Sequence, residues 1–182
     1  FKCGPYALNS ILNARDKTPF ASNPVLEAVH STTRGTNLVQ VRDWAAQVGL
    51  NCQVARREST GQLIFPAVIH WKLDHFAALL GELDGRYLVQ DATFGGGEMW
   101  ITEKALEAET DGYFLIPAGE LPTGWTAVSD EEAAQVWGKG GAQGRDENSK
   151  TCSSPKGGTE KCSAGMASSS YYLMQASLNL RD

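Results

Sequence analysis

The hydrophobic period of this chain changes near residue 50, and that change restricts it to folds that segregate helices from strands. Before it, apolar residues recur at helical spacing. Tyr6, Leu8, Ile11 and Leu12 form one stripe, and Leu38, Val41, Trp44, Ala45 and Val48 form another. After it, residues 50–55 alternate, and 66–71 form a short apolar run led by proline. Residues 75–83 and 86–91 flank Asp84-Gly85, a two-residue hairpin signal. Short strands are expected at 99–101 and 113–116, and a helix capped by Thr102 at 103–109. In the helical part, a short helix over 25–30 precedes a longer one over 37–48, capped by Thr36 and stopped by Gly49. Helices first and antiparallel strands after predict an α+β domain over 1–118, its N-terminal helices packed on an antiparallel sheet.

Beyond residue 118 the composition shifts. Ser129-Asp130-Glu131-Glu132 is a capping-box pattern that opens a helix ending at 136 or 137. Residues 119–141 therefore read as a short helix with a Gly-rich end. Residues 142–170 are rich in Gly, Ser, Lys and Thr, and read as a flexible linker. The stretch 171–182 alternates weakly, like the first strand of a following region.

Charge and cysteine usage exclude several function classes. The net charge of −5 argues against a nucleic-acid surface or an anionic membrane as partner. No apolar run approaches the ~20 residues of a membrane span. The chain opens inside a motif, without a signal peptide, as expected of a piece of something larger. Cys3, Cys52, Cys152 and Cys162 form no CxxC pair, and His30, His70 and His75 are scattered, so neither a metal nor a cofactor is expected. Cys52 reads as a core residue and His30 is given no role. Cys152 and Cys162 bracket a polar loop and read equally as a disulfide or as two thiols. Gly95-Gly96-Gly97 reads as turn chemistry, because no Lys-Ser/Thr follows it.

Three residues make a chemical constellation. Cys3 stands before Gly4-Pro5 and an apolar helix, so it lies at a helix N-terminus, where the dipole and unpaired N–H groups favour a thiolate. His75 starts one strand of the hairpin and Asp91 ends the other, so a tight turn brings them to the same end. A thiol, a base and a carboxylate that orients the base are the parts of a nucleophilic active site. Taken singly, His75 also reads as a strand-end histidine bonded to water, and Asp91 as a turn residue. His70 is a rival base, but its apolar strand suits a core or cleft-wall residue. Trp71 suits packing more than substrate stacking.

Cys3-Gly4-Pro5 with Ala7-Leu8, Arg34-Gly35-Thr36 opening a helix, Gly49-Leu50, the run 66–71, His75-Phe76 and Asp91 together resemble the bacteriocin-processing cysteine peptidases of family 39. The resemblance covers about residues 1–118. It implies a papain-like fold, no cofactor, Cys3 as nucleophile, His75 as base and Asp91 as orienting acid. It also implies peptide substrates cut after a double glycine. His70 and Trp71 are kept as substrate-binding candidates on their own account. Such domains are often attached to peptide-exporting transporters, which implies either the cytoplasmic face of an exporter or a module of a larger secreted polypeptide. Two departures stand out. Only Phe1 and Lys2 precede Cys3, so the family's upstream oxyanion-hole glutamine is not in this chain, and Ala92 rather than proline follows Asp91.

Residues 128–141 resemble the acidic amphipathic leader helices that such peptidases recognise, with Val128, Ala133 and Val136 as apolar anchors. Lys139 interrupts the glycines, leaving Gly140 and Gly141 as the expected cleavage site of an internal substrate or pseudo-substrate. A spacer helix before a linker is the plainer alternative. Residues 171–180 resemble the lead-in to Rhs/YD-repeat proteins, which would make the domain part of a toxin-like polypeptide. Two other functions fit the same residues: a catalytically inactive leader-binding module of the same fold, and an acyl transferase such as a transglutaminase-like enzyme.

Overall fold

The computed structural model describes residues 2–18, 21–59, 61–91 and 98–139. The glycine run at 95–97, the expected cleavage site Gly140-Gly141, Cys152, Cys162 and the whole tail lie outside the described residues.

Helix α1, Cys3–Asp16, buries Ala7, Leu8, Ile11 and Leu12 on one stripe. It begins at the thiol: Cys3 is the first helical residue, and Pro5 sits in the first turn where its missing N–H costs nothing. Helix α2 is Pro24–Ala28 and ends two residues earlier than expected, because Val29 returns to extended backbone and leaves His30 exposed outside it. Helix α3 is Leu38–Gln47. Its cap is Asn37, not Thr36. The Asn37 side chain accepts from Gln40 N while the Gln40 side chain accepts from Asn37 N. Thr36 and Asn37 instead form a short strand, β1.

The sheet has seven strands in the order β6-β5-β4-β3-β7-β2-β8. These are β2 Cys52–Arg57, β3 Ala67–Trp71, β4 His75–Leu83, β5 Arg86–Gln90, β6 Glu98–Thr102, β7 Thr110–Pro117 and β8 Trp125–Ala127. All the described pairings between them are antiparallel. The β4–β5 hairpin closes at Asp84-Gly85, both at positive φ (52° and 73°), the geometry that suits a twisted two-residue turn. Helix α4, Glu103–Glu109, is capped by the Thr102 hydroxyl on Ala105 N. Strand β8 lies beyond residue 118 yet extends the same sheet.

Both sheet faces are covered, which explains the unbroken apolar run in β3, all of whose residues are buried. Alternation sends Val68, Phe76, Ala78 and Leu115 to the α1/α3 side. Ile69, Ala77, Leu79, Phe114 and Ile116 go to the other side, with Leu106 of α4 and Trp125 of β8. Gly4 lets α1 approach α3 closely, since a Cβ there would lie 2.7 Å from Val41 Cγ2.

The segment after β8 is not a helix to 136 or 137. Helix α5 is a single turn, Asp130–Ala133, capped by Ser129 on Glu132 N. The chain then extends into β9, Trp137–Gly138, which pairs antiparallel with β1. The apolar side chains Ala133 and Val136 are buried in the α1/α3 core. Burying them while the backbone pairs with β1 outweighs the weak local preference for continuing a short helix.

Candidate active site

The site lies where the N-terminus of α1 meets the β3–β4–β5 end of the sheet. The register puts Trp71 opposite His75 and His70 opposite Phe76. The β4–β5 hairpin brings Asp91 back beside His75. The His75 Nε2–H donates to Asp91 Oδ1 at 2.7 Å, and the Trp71 indole N–H donates to Asp91 Oδ2 at 3.2 Å. Asp91 is 3% exposed, so these bonds, in a dry setting, fix its carboxylate plane. With Nε2 taken, Nδ1 is the ring nitrogen available to the Cys3 thiol, which hydrogen-bonds His75 from the first turn of α1. Burial alone would lower the His75 pKa. The bonds to Asp91 and Cys3, and the charges on both, outweigh it and raise the value to about 9. At neutral pH the imidazole therefore holds its proton beside a sulfur at a helix N-terminus, an arrangement that favours a thiolate–imidazolium pair.

A second buried histidine stands beside the first. His70 Nδ1 lies 2.6 Å from Asp111 Oδ2, and its Nε2 lies 2.8 Å from the carbonyl oxygen of Trp137. The Asp111 carboxylate is itself tied by Tyr113 N–H to Oδ1 at 3.2 Å. His70 therefore touches the backbone of β9 and not the Cys3 side of the site. Trp71 is a buried partner of Asp91.

Strand β9 runs through this cleft. A Cβ on Gly138 would lie 3.1 Å from Cys3 Sγ and would overlap the Phe76 ring. A Cβ on Gly35 would overlap the Gly138 carbonyl, and Gly35 has a φ of 101°, so only glycine serves there. Arg34 lies over the Trp137 ring at 4.4 Å. Further out, Arg42 forks onto Asp130 of α5, and Tyr113 Oη donates to Glu132 at 2.7 Å. Lys139 N donates to Asp74 O at 2.6 Å, and its ammonium pairs with Asp74 Oδ2 at 2.6 Å.

The structure thus brings Cys3, His75 and Asp91 together, with Trp71 behind Asp91 and His70 on the adjacent wall. Asp111 and Asp74 were given no role by the sequence, and Gly35 and Phe76 entered only as parts of motifs. Asp74 and Phe76 flank His75 in sequence, which was a usable signal; Asp111 joins His70 only through the β3–β7 pairing. Among the described residues, no group of three or more His, Cys, Asp and Glu side chains is gathered to hold a metal. No described helix is long and apolar enough to cross a membrane.

Known proteins place this arrangement in context. No curated protein matches the chain. Among solved structures, a double-glycine-motif protease from an AMS/PCAT transporter, in complex with its leader peptide, is 26% identical at a TM-score of 0.51. That match covers 64% of this chain and 84% of the protease. The peptidase domain of Streptococcus ComA, a bifunctional ABC transporter of a quorum-sensing pathway, is 16% identical at a TM-score of 0.53, over 65% of this chain and 92% of that domain. The second likeness concerns the fold alone. The family model for the Peptidase C39 family matches residues 2–120, well over half of the sequence, and the chain belongs to that family.

Proposed function

We propose that this chain is a cysteine peptidase that cuts peptide bonds in glycine-containing, leader-like segments, and that it processes its own polypeptide. The observation that carries the reading is the coupling of His75 to Asp91 on one ring nitrogen and to Cys3 on the other. In this reading Cys3 attacks the substrate carbonyl as a thiolate. His75 gives its proton to the leaving amine and later takes one from the deacylating water. Asp91, held by Trp71, keeps the imidazole oriented and stabilises its cation. The backbone N–H of Cys3, at the start of α1, is a donor for the developing oxyanion. The Phe76 ring and the Cys3 thiol leave room for glycine and for nothing larger at the position Gly138 occupies. A similar protease is known in complex with a leader peptide, and the docking of residues 128–139 supports the same kind of substrate here.

One observation favours a second reading, a catalytically inactive leader-binding module: the cleft holds its own segment by many bonds without needing a reaction. Reaction of Cys3 with iodoacetamide separates the two. A peptidase thiol reacts rapidly at pH 6–7, and Asp91→Asn slows the reaction. A rate rising only through the ordinary thiol range near pH ~8.5, unaffected by that substitution, refutes the peptidase reading.

A further inference from the structure

Strand alternation turns the two residues of β9 to opposite sides. The side-chain direction at Gly138 points at Phe76 and the Cys3 thiol. The Trp137 indole therefore stands on the side away from the thiol. There its ring lies beneath the exposed Arg34 side chain, with the guanidinium carbon 4.4 Å from the ring centroid. That is well inside the ~6 Å reach of a cation–π contact, and tryptophan is the best ring for one. Among the described residues no carboxylate lies within ion-pair distance of Arg34, whereas Arg15, Arg42 and Arg57 each have one. The ring is what the Arg34 charge faces.

The turn that carries Arg34 is built without β9. Thr32 N–H donates to the Gly35 carbonyl at 3.1 Å, Gly35 N–H donates to the Thr32 carbonyl at 3.0 Å, and the Thr32 hydroxyl donates to the Gly35 carbonyl at 2.8 Å. Thr33 and Arg34 are thus held at the tip of a turn whose bonds are its own. The Trp137 indole N–H gives no such hold. It is buried without a hydrogen-bond partner, which costs stability. The cleft therefore meets Trp137 through its ring face, under Arg34, and through its backbone carbonyl, at His70.

We propose that the turn at residues 32–35 is an aromatic-reading subsite, in which Arg34 selects peptide segments that carry an aromatic residue immediately before the glycine set against Cys3. The inference rests on the reading of residues 128–139 as a leader-like segment bound in the cleft, and adds a specificity residue to it. Two adjacent positions are then read in opposite senses. At Gly138 the site excludes any side chain, and at Trp137 it favours a flat one. A cation over a ring face responds to the charge distribution of the ring, so phenylalanine serves in place of tryptophan, whereas leucine, apolar but without a ring, does not.

The test uses the thiol that β9 covers. Cys3 is 4% exposed, so iodoacetamide reaches it only when β9 lifts, and its labelling rate reports how firmly the segment is held. Full-length protein is labelled at pH 7 beside Arg34→Gln, Trp137→Phe, Trp137→Leu and the Arg34→Gln/Trp137→Leu double variant. Peptide mapping scores Cys3 relative to Cys52 of β2, which a general loosening of the fold would speed equally. Arg34→Gln is expected to speed Cys3 labelling about two- to fivefold, the scale of one exposed cation–π contact. Trp137→Leu speeds it at least as much, Trp137→Phe stays within about twofold of the parent, and Arg34→Gln adds nothing once leucine is in place. An unchanged rate in Arg34→Gln overturns the inference, and so does an equal acceleration by Arg34→Gln with and without Trp137→Leu. Acceleration by phenylalanine as large as by leucine overturns the reading of a ring face. Failure of the peptidase reading shows separately, as a Cys3 rate that Asp91→Asn leaves unchanged, because the subsite is read from ratios between variants.

Discussion

Two histidines stand side by side on β3 and β4, each paired to an aspartate, and in the proposed peptidase only one of the pairs does chemistry. His75–Asp91 spans 2.7 Å and His70–Asp111 spans 2.6 Å, and both imidazoles are buried. The difference lies in what the second nitrogen meets and how wet the carboxylate is. His75 meets a thiol, and the side chain of Asp91 is 2% exposed. His70 meets a backbone carbonyl, and the side chain of Asp111 is 28% exposed. One pair can move a proton to and from sulfur. In the same proposal the other holds a peptide in register. A His–Asp bond is thus not itself a sign of a base; the third partner decides its role.

The sharpest break of that comparison is removal of the two aspartates. Asp91→Asn leaves the shape of the site but presents the imidazole in the wrong tautomer, and peptidase turnover is expected to fall on the order of 10⁴-fold. Asp111→Asn is expected to change turnover by less than about tenfold, with the loss in substrate binding, since it weakens a hydrogen bond that holds a positioning residue. Rates on a saturating leader-like peptide and on a dilute one check the split. Comparable losses from the two substitutions would make the histidines equivalent and would sink the assignment of roles.

The same contrast explains what the sequence made legible. The α+β class, the hairpin and the Cys3, His75 and Asp91 trio could be read because each rests on a local signal: a change of period, an Asp-Gly turn, a cysteine before Gly-Pro. Those signals also fix distance, since a tight turn returns Asp91 to His75. The role of Trp71 could not be read. Its indole reaches Asp91 only because Trp71 lies opposite His75 across β3–β4, a register that nothing in residues 66–71 specifies. The fate of residues 134–138 was equally hidden. A capping box at Ser129 announces a helix start but says nothing of its length. The strand that follows exists because β1 offers it a partner some 100 residues earlier in sequence.

A next-largest effect concerns the occupant of the cleft. Gly138→Val puts a branched side chain where a single Cβ already overlaps Phe76 and lies 3.1 Å from Cys3 Sγ. Self-processing is expected to stop, because β9 must leave the cleft. Cys3 should then become more accessible, and its alkylation should speed up instead of slowing. A valine that left both processing and alkylation unchanged would show that β9 does not sit on the thiol. The His70→Ala substitution acts on the same segment more gently. It removes the hydrogen-bond partner of the Trp137 carbonyl and is expected to weaken processing about fivefold, the scale of one lost hydrogen bond. The pH dependence should not move.

The smallest effect is a shift in pH dependence, and it distinguishes the histidines without removing either. The His75 pKa is raised to about 9, so its proton is retained below that pH and lost above it. Processing should be flat through neutral pH and fall as pH rises through about 9, where the imidazolium that protonates the leaving amine disappears. Trp71→Phe deletes the indole N–H from Asp91 Oδ2 while keeping an aromatic ring in the core. Without that donor the carboxylate is less firmly held against His75, and burial, which lowers the His75 pKa, gains weight. The alkaline limb should therefore move to lower pH, with only a several-fold loss of rate at neutral pH. An alkaline limb that stayed in place would mean that Trp71 is packing alone, and that the Asp91–His75 pair needs no support from β3.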